Sequence, residues 1–278
     1  MIKLLAHAKI NLSLRVLHRR DDGFHEIDSL IQTIDLSDEI AVTRTGHDLS
    51  VRNDLSMRSE EDLAWRAAHL VLREKNEGCG MQITVRKMIP TGAGLGGGSS
   101  DAAAVLWAVD RLTPPVLPEG SLHELAAQLG SDVPLFLHGG LLRARGRGEA
   151  VSPVFPSRKE CFLLLVPPVH CATASVYRKM APRITRARNW TGEPQLGKND
   201  LCEAAVSLYP ELAQYSGAMA KLGADYAGMS GSGSTFYAAF SDAKHAERAH
   251  EHLREELPQA KVYLTQATST GFHVKGGA

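Results

Sequence analysis

The chain has 278 residues, 44% of them hydrophobic and 22% charged, with 31 basic side chains against 31 acidic ones. That length suits one large or two modest domains with a real core, and the composition excludes a disordered chain. Zero net charge removes the bulk attraction that nucleic-acid and membrane-surface binders use, and cysteines 79, 161, 171 and 202 lack the paired spacings of zinc or redox motifs, so no nucleic acid, membrane or structural metal is expected as a partner.

Residues 2 to 16 alternate. Ile2, Leu4, Ala6, Ala8, Ile10, Leu12, Leu14 and Val16 share one parity, while Lys3, His7, Lys9, Asn11, Ser13 and Arg15 hold the other. This predicts a strand with one face in the core. Lys9 and Asn11 then project to the same side, roughly 7 Å apart at about 3.3 Å per residue, so an ammonium and an amide can enter one cleft. The charges in this segment interrupt any signal-peptide core, and no apolar run reaches transmembrane length. Together with cysteines read as reduced core residues, that implies a protein of bacterial-type cytoplasm or, after removal of a transit peptide, of a plastid.

Asp22-Gly23-Phe24 reads as a turn that leads into His25. Leu63, Ala64, Ala67, Ala68, Val71 and Leu72 form one helix face, with Asp62 as the third residue of a capping arrangement begun by Ser59. Met81 to Val85 alternates as a strand, and Lys87 follows it.

Pro90-Thr-Gly92-Ala93-Gly94-Leu95-Gly96-Gly97-Gly98-Ser99-Ser100-Asp101 then runs into a helix over 101–112. Such a loop lets the backbone approach a ligand, and a helix N-terminus attracts anions through free N–H groups and its dipole. A Walker loop is excluded, because no lysine follows Gly98. Gly92-x-Gly94-x-x-Gly97 also fits the dinucleotide fingerprint, but the acidic residue about 20 positions on is missing, since 113–120 is a proline-rich loop. A glycine turn with no ligand remains the plain alternative.

Ser121 to Glu124 reads as a capping box opening a helix that closes at Gly130, which leaves Asp132 held between that helix and an apolar strand over 133–137. Prolines at 153 and 156 break regular structure before a buried strand over 162–166. The polar stretch 183–198 reads as a mobile surface loop. Helices are predicted over 211–222 and 243–257, the second carrying His245, His250 and His252 on a solvated face. A second glycine motif, 228–235, precedes a strand ending at Phe240 and fits either a cleft wall or a tight hairpin.

The motif at 90–100 resembles the second motif of the GHMP kinase superfamily, a proline followed by a glycine loop ending in Gly-Ser-Ser. Ala8-Lys9-Ile10-Asn11-Leu12 and Met229-Ser230-Gly231-Ser232-Gly233-Ser234-Thr235 match in the same order, so the resemblance spans nearly the whole chain. Asp22 to Glu26, Gly130 to Pro134, Arg145 to Glu149 and Asn199 to Leu201 look like the branch that phosphorylates CDP-methylerythritol, in the non-mevalonate route to isoprenoid precursors.

The resemblance implies an α+β fold of two parts. Residues 1–153 would resemble ribosomal protein S5 domain 2, 154–278 would be ferredoxin-like, and the active site would lie between them. It implies ATP and Mg²⁺ as cofactors, a small-molecule substrate, and a monomer or weak homodimer. Lys9 and Asp132 become the catalytic pair. Pro90, Gly92, Ala93, Gly94, Leu95, Gly96, Gly97, Gly98, Ser99 and Ser100 become ATP contacts, with Lys87 on the nucleotide side and Ser99 and Ser100 as Mg²⁺ contacts. Asn11, Phe24, His25, Thr173 and Tyr177 become substrate contacts, with cytosine sandwiched between Phe24 and Tyr177, and Gly231, Ser232 and Gly233 close the cleft. Phe24 stands where tyrosine is usual and Asp62 where asparagine is usual. Competing expectations are another GHMP kinase with a different alcohol, a dinucleotide-dependent oxidoreductase, or an RNA binder on the S5-like fold, which would need a basic face.

Overall fold

The computed structural model describes residues 1–54, 61–155, 160–180 and 193–276. Strand β1 (Ile2–Arg19) runs antiparallel to β2 (His25–Thr45), and both are long enough to serve two layers. Next come β3 (Leu49–Asn53), α1 (Leu63–Glu74), β4 (Gly80–Arg86), α2 (Gly97–Leu112), α3 (Glu119–Leu129) and α4 (Val133–His138). Hairpin β5 (Leu141–Gly146) and β6 (Ala150–Pro153) completes this part, and among the described residues the sheet has seven strands, ordered β11-β1-β2-β4-β3 with β5 and β6 joined through β2.

The second part holds β7 (Cys161–Val166), α5 (Thr173–Met180), α6 (Cys202–Leu208), α7 (Leu212–Ala220), β8 (Tyr226–Met229), β9 (Phe236–Phe240), α8 (Ala243–Glu256) and β10 (Lys261–Gln266). Its antiparallel sheet runs β10-β7-β9-β8, the ferredoxin-like order. The last strand, β11 (Phe272–Val274), returns to pair with β1, so a single cut between 153 and 154 does not contain the second part.

Three apolar clusters explain this arrangement. One lies under α1, α2 and α4, and one fills the second part and takes in Leu14 and Val16 of β1 and Ile27 of β2. A third joins Ala8, Ile10 and Leu12 of β1 to Phe162, Leu164 and Tyr237 of the second sheet. β1 departs from the half-buried expectation because its polar parity is covered as well: Lys9 lies under the glycine loop at Gly96, Asn11 against Ser29 and Ser230, His7 against Ser37 and His273, and all three are buried with Ser13.

Four other local expectations are corrected. Residues 133–137 form helix α4 rather than a strand; a short apolar run fits either, and here Val133, Leu135 and Phe136 are buried on a helix entered through Pro134 in its first turn. The preceding helix starts at Glu119 after Pro118, so Ser121 lies inside it and is no cap. Asp62 is itself the N-cap of α1, accepting from the Ala64 amide at 2.8 Å, while Ser59 lies outside the described residues. His245 is not on a solvated face: its Nε2 meets the Leu222 carbonyl at 2.9 Å and its ring packs edge-on against Phe240.

Residues 183–192 of the stretch read as a mobile loop also lie outside the described residues; the part from Gly197 onward is hydrogen-bonded along β1. No helix among the described residues is long and apolar enough to cross a membrane.

Candidate active site

The glycine loop between β4 and α2 alternates its exposure. Ala93 and Leu95 are buried anchors, and Gly92, Gly94 and Gly96 take φ of +70°, +79° and +72°. Successive amides in such a chain turn toward one side and make a concavity for anions. Helix α2 begins directly afterwards, so the amides of Gly97, Gly98 and Ser99 have no intrahelical partner. The Ser100 amide does have one, the Gly96 carbonyl at 2.9 Å, and the Ser100 side chain is wholly buried. The Ser100 hydroxyl has no hydrogen-bond partner among the described residues, in the first turn of α2 beside the loop.

Two cavities meet at this loop, and Gly94 and Gly96 line both. The smaller, about 410 Å³, is bounded by 90–99 with Asn53, Asp62 and Lys87. Lys87 is no plain surface lysine, because its Nζ lies 2.5 Å from Asp38 and 2.6 Å from Asp101 with the side chain 11% exposed. Asp38 also accepts from the Ile89 amide at 2.8 Å, so this cluster anchors the approach to the loop from beneath. Burial, with the Asp38 charge adding to it and Lys87 opposing, raises Asp101 to about 8. Lys87 loses to burial but gains more from the two carboxylates, and sits above the ordinary lysine value.

The larger cavity, about 740 Å³, brings together Lys9, Asn11, Phe24, His25, Asp132, Thr173, Tyr177, Gly231 and Ser232. Lys9 Nζ donates to Asn11 Oδ1 at 2.7 Å and lies 3.8 Å from Asp132 Oδ2. Burial draws Lys9 below the ordinary lysine value, and the Asp132 charge works against that. Asp132 occupies the N-cap position of α4 without using its carboxylate to cap the helix, which leaves that group free for the cleft.

At the other end, Asp22 Oδ1 accepts from the Phe24 amide at 3.0 Å and Gly23 sits at φ +85°, a turn that leaves Phe24 53% exposed. His25 stacks on Tyr177, ring centroids 5.1 Å apart and planes 27° from parallel. Phe24 carries the Arg147 guanidinium over its ring at 5.0 Å. His25 Nε2 is buried with no hydrogen-bond partner among the described residues, and burial together with the Arg19 charge lowers its pKa. Burial and then the Asp132 charge raise that of Tyr177, which stays a neutral phenol.

Thr173 and Tyr177 stand one turn apart on α5, and Thr173 Oγ1 pairs with Ser232 Oγ at 2.8 Å. The second glycine motif is at once a hairpin turn between β8 and β9 and a wall of the cleft. Ser230 Oγ donates to the Gly94 carbonyl at 2.8 Å, and the Asn11 amide donates to Ser230 Oγ at 3.2 Å. A β-carbon on Gly233 would point toward Met229 and Cys171, while the Gly233 carbonyl lies against Gly94.

Sequence reasoning assigned no role to Asp38, Asp101, Arg147, Asn199 or Ser230. The last three lie in segments that match the family. Nothing local marks Asp38, whose burial comes from contacts about 50 residues away.

Two family models match the chain: GHMP kinases N terminal domain over residues 62–140 and GHMP kinases C terminal over 186–259. A protein of Solibacter usitatus named 4-diphosphocytidyl-2-C-methyl-D-erythritol kinase is 37% identical over 270 residues, covering 91% of this chain and 85% of that protein. The chain belongs to the GHMP kinase family. It is an ATP-using kinase of small molecules.

A protein of the same name from Pelotomaculum thermopropionicum is 36% identical to this GHMP kinase, covering 95% of the chain and 98% of that protein. The crystal structure of a 4-(cytidine 5'-diphospho)-2C-methyl-D-erythritol kinase superposes with a TM-score of 0.83 at 36% identity, over 96% of this chain and 99% of that one. A homoserine kinase from Cytophaga hutchinsonii shares the GHMP kinase fold at a TM-score of 0.74 and 18% identity, over 98% and 96% of the two chains.

Proposed function

We propose that the chain transfers the γ-phosphoryl group of ATP to the 2-hydroxyl of 4-diphosphocytidyl-2-C-methyl-D-erythritol, in cytoplasm, as a step of non-mevalonate isoprenoid precursor synthesis. What supports this reading is one cleft that holds a buried ammonium facing a solvent-accessible carboxylate, a glycine cradle and a group of rings suited to a nucleobase. The relatives of the same name support the choice of alcohol.

Phosphoryl transfer asks an enzyme for positioning and charge compensation. The amides from Gly94 to Ser99 hold the ATP phosphates. Asp132 accepts the proton of the attacking hydroxyl as the new O–P bond forms and the bond to ADP breaks. Lys9 keeps the Asp132 carboxylate ionised and offsets charge on the transferred group. His25 reads the cytosine edge as a neutral imidazole, which can donate and accept at once.

Mg²⁺ fits the oxygen donors here. Ser99 lines the nucleotide cavity, and a hard cation that keeps waters needs few protein ligands beside phosphates. When bound it neutralises phosphate charge.

The deciding experiment offers the protein ATP with CDP-methylerythritol, mevalonate, homoserine or galactose and follows ADP release. Turnover should be confined to the cytidine substrate. Comparable turnover of any other alcohol would reject the assignment.

A further inference from the structure

We infer that Asn199 is a positioning residue for phosphoryl transfer, acting through the turn between β8 and β9. This rests on the reading that the turn covers the transferred phosphoryl group. The Asn199 side-chain amide donates both of its protons, to the carbonyls of Met229 and Gly231, each at 2.8 Å. Those carbonyls flank Ser230, whose hydroxyl donates to Gly94 O. One amide therefore sets the curvature of the turn, and the turn in turn contacts the ATP loop.

Asn199 is itself held from three sides. Its Oδ1 accepts from the Leu201 amide at 2.9 Å, and the flanking backbone pairs with β1 through Leu14 N to Lys198 O and Asp200 N to Leu14 O, both 2.9 Å. Asp200 Oδ2 accepts from the Val16 amide at 3.1 Å. The residue thus ties the glycine turn to the same strand that carries Lys9. A half-buried amide that satisfies two carbonyls cannot be replaced by an acceptor without repulsion.

Asn199→Asp tests this, since it keeps the shape and the acceptor for Leu201 but sets a carboxylate against two carbonyl oxygens. The variant should stay folded at a lowered denaturant midpoint, keep its KM for the cytidine substrate, and lose at least ~10-fold in kcat near neutral pH. Its kcat relative to wild type should rise as the pH falls, because protonating the introduced carboxyl restores one donor. A scaffold role would not produce that recovery.

If Asn199→Asp fails to fold, Asn199→Ser, which keeps one donor, replaces it with the same expected split between kcat and KM. Wild-type kcat in a folded variant, or a kcat deficit that does not respond to pH in Asn199→Asp, overturns the inference. Gly231→Ala separates the two layers, since it sets a methyl about 3.6 Å from Lys9 Nζ. If Gly231→Ala is harmless, the reading of the turn fails; if it is harmful while Asn199→Asp is silent, only the role of Asn199 fails.

Discussion

The backbone amide of Lys9 donates to the carbonyl of Leu95 at 2.9 Å. The residue that carries the buried ammonium is also the one to which the glycine loop is tied, so the spacing between cradle and charge is fixed by main chain. A β-carbon on Gly94 would come within 2.4 Å of the Ser230 carbonyl at a φ of +79°. Gly94→Ala should force the two glycine loops apart and lower kcat/KM at least ~10-fold, since misplacement by about 1 Å can cost ~100-fold. Steady-state kinetics against both substrates checks this.

Asp132→Asn should leave ATP binding intact while turnover falls by two orders of magnitude or more, about the contribution of a positioned general base. Removing the carboxylate also removes the charge that supports Lys9, whose pKa should fall further. Equilibrium nucleotide binding beside single-turnover chemistry separates the two effects, and unchanged turnover would remove Asp132 from the mechanism.

His25→Ala should raise KM for the cytidine substrate ~10-fold or more and leave that for ATP alone, as expected for the loss of a base-reading contact worth roughly 1–3 kcal/mol. Because the His25 pKa lies below its ordinary value, the neutral ring persists as the medium is acidified. KM for the cytidine substrate should therefore stay level down through the usual imidazole range and rise only below it. A midpoint at or above 6.5 contradicts this.

Lys87→Met should cost about 3–5 kcal/mol of stability, the usual penalty for leaving buried charge without its partner. Both Asp38 and Asp101 would lose their cation. Urea titration measures the loss. A normal stability with a raised KM for ATP would instead give Lys87 a direct nucleotide contact.

How much of this was legible in the sequence depends on the range of the forces involved. The alternation in β1 and the turn-rich glycine loop were readable, because strand periodicity and backbone permissiveness are local. So was the pairing of Lys9 with Asn11 on one side of the strand. Helix α4 was not, since six apolar residues satisfy strand and helix patterns alike and only packing against α2 and α3 decides between them. The contact of His25 with Tyr177 joins β2 to α5 across 152 positions of sequence, and nothing near either one encodes it.

His7 is buried between Ser37 and His273, and burial, with the His273 charge, lowers its pKa to about 4 from 6.5. The folded state then binds this proton less readily than the unfolded chain. Stability from His7 is full above about pH 6.5 and drains away as the pH falls toward 4, in total about 3 kcal/mol at 1.36 kcal/mol per pKa unit. His7→Gln should unfold less steeply with acid over that window, measured by denaturant midpoints at several pH values; parallel curves would discount His7.

The apolar cluster that joins β1 to the second sheet lies directly behind the cleft, with Ile10, Leu12, Leu164 and Tyr237 fully buried in it. A close-packed seam of this kind does not open and shut as a hinge. Substrate entry and product exit thus fall to the rim, where the Phe24 tip is exposed, while the floor of the crevice keeps its shape through each turnover.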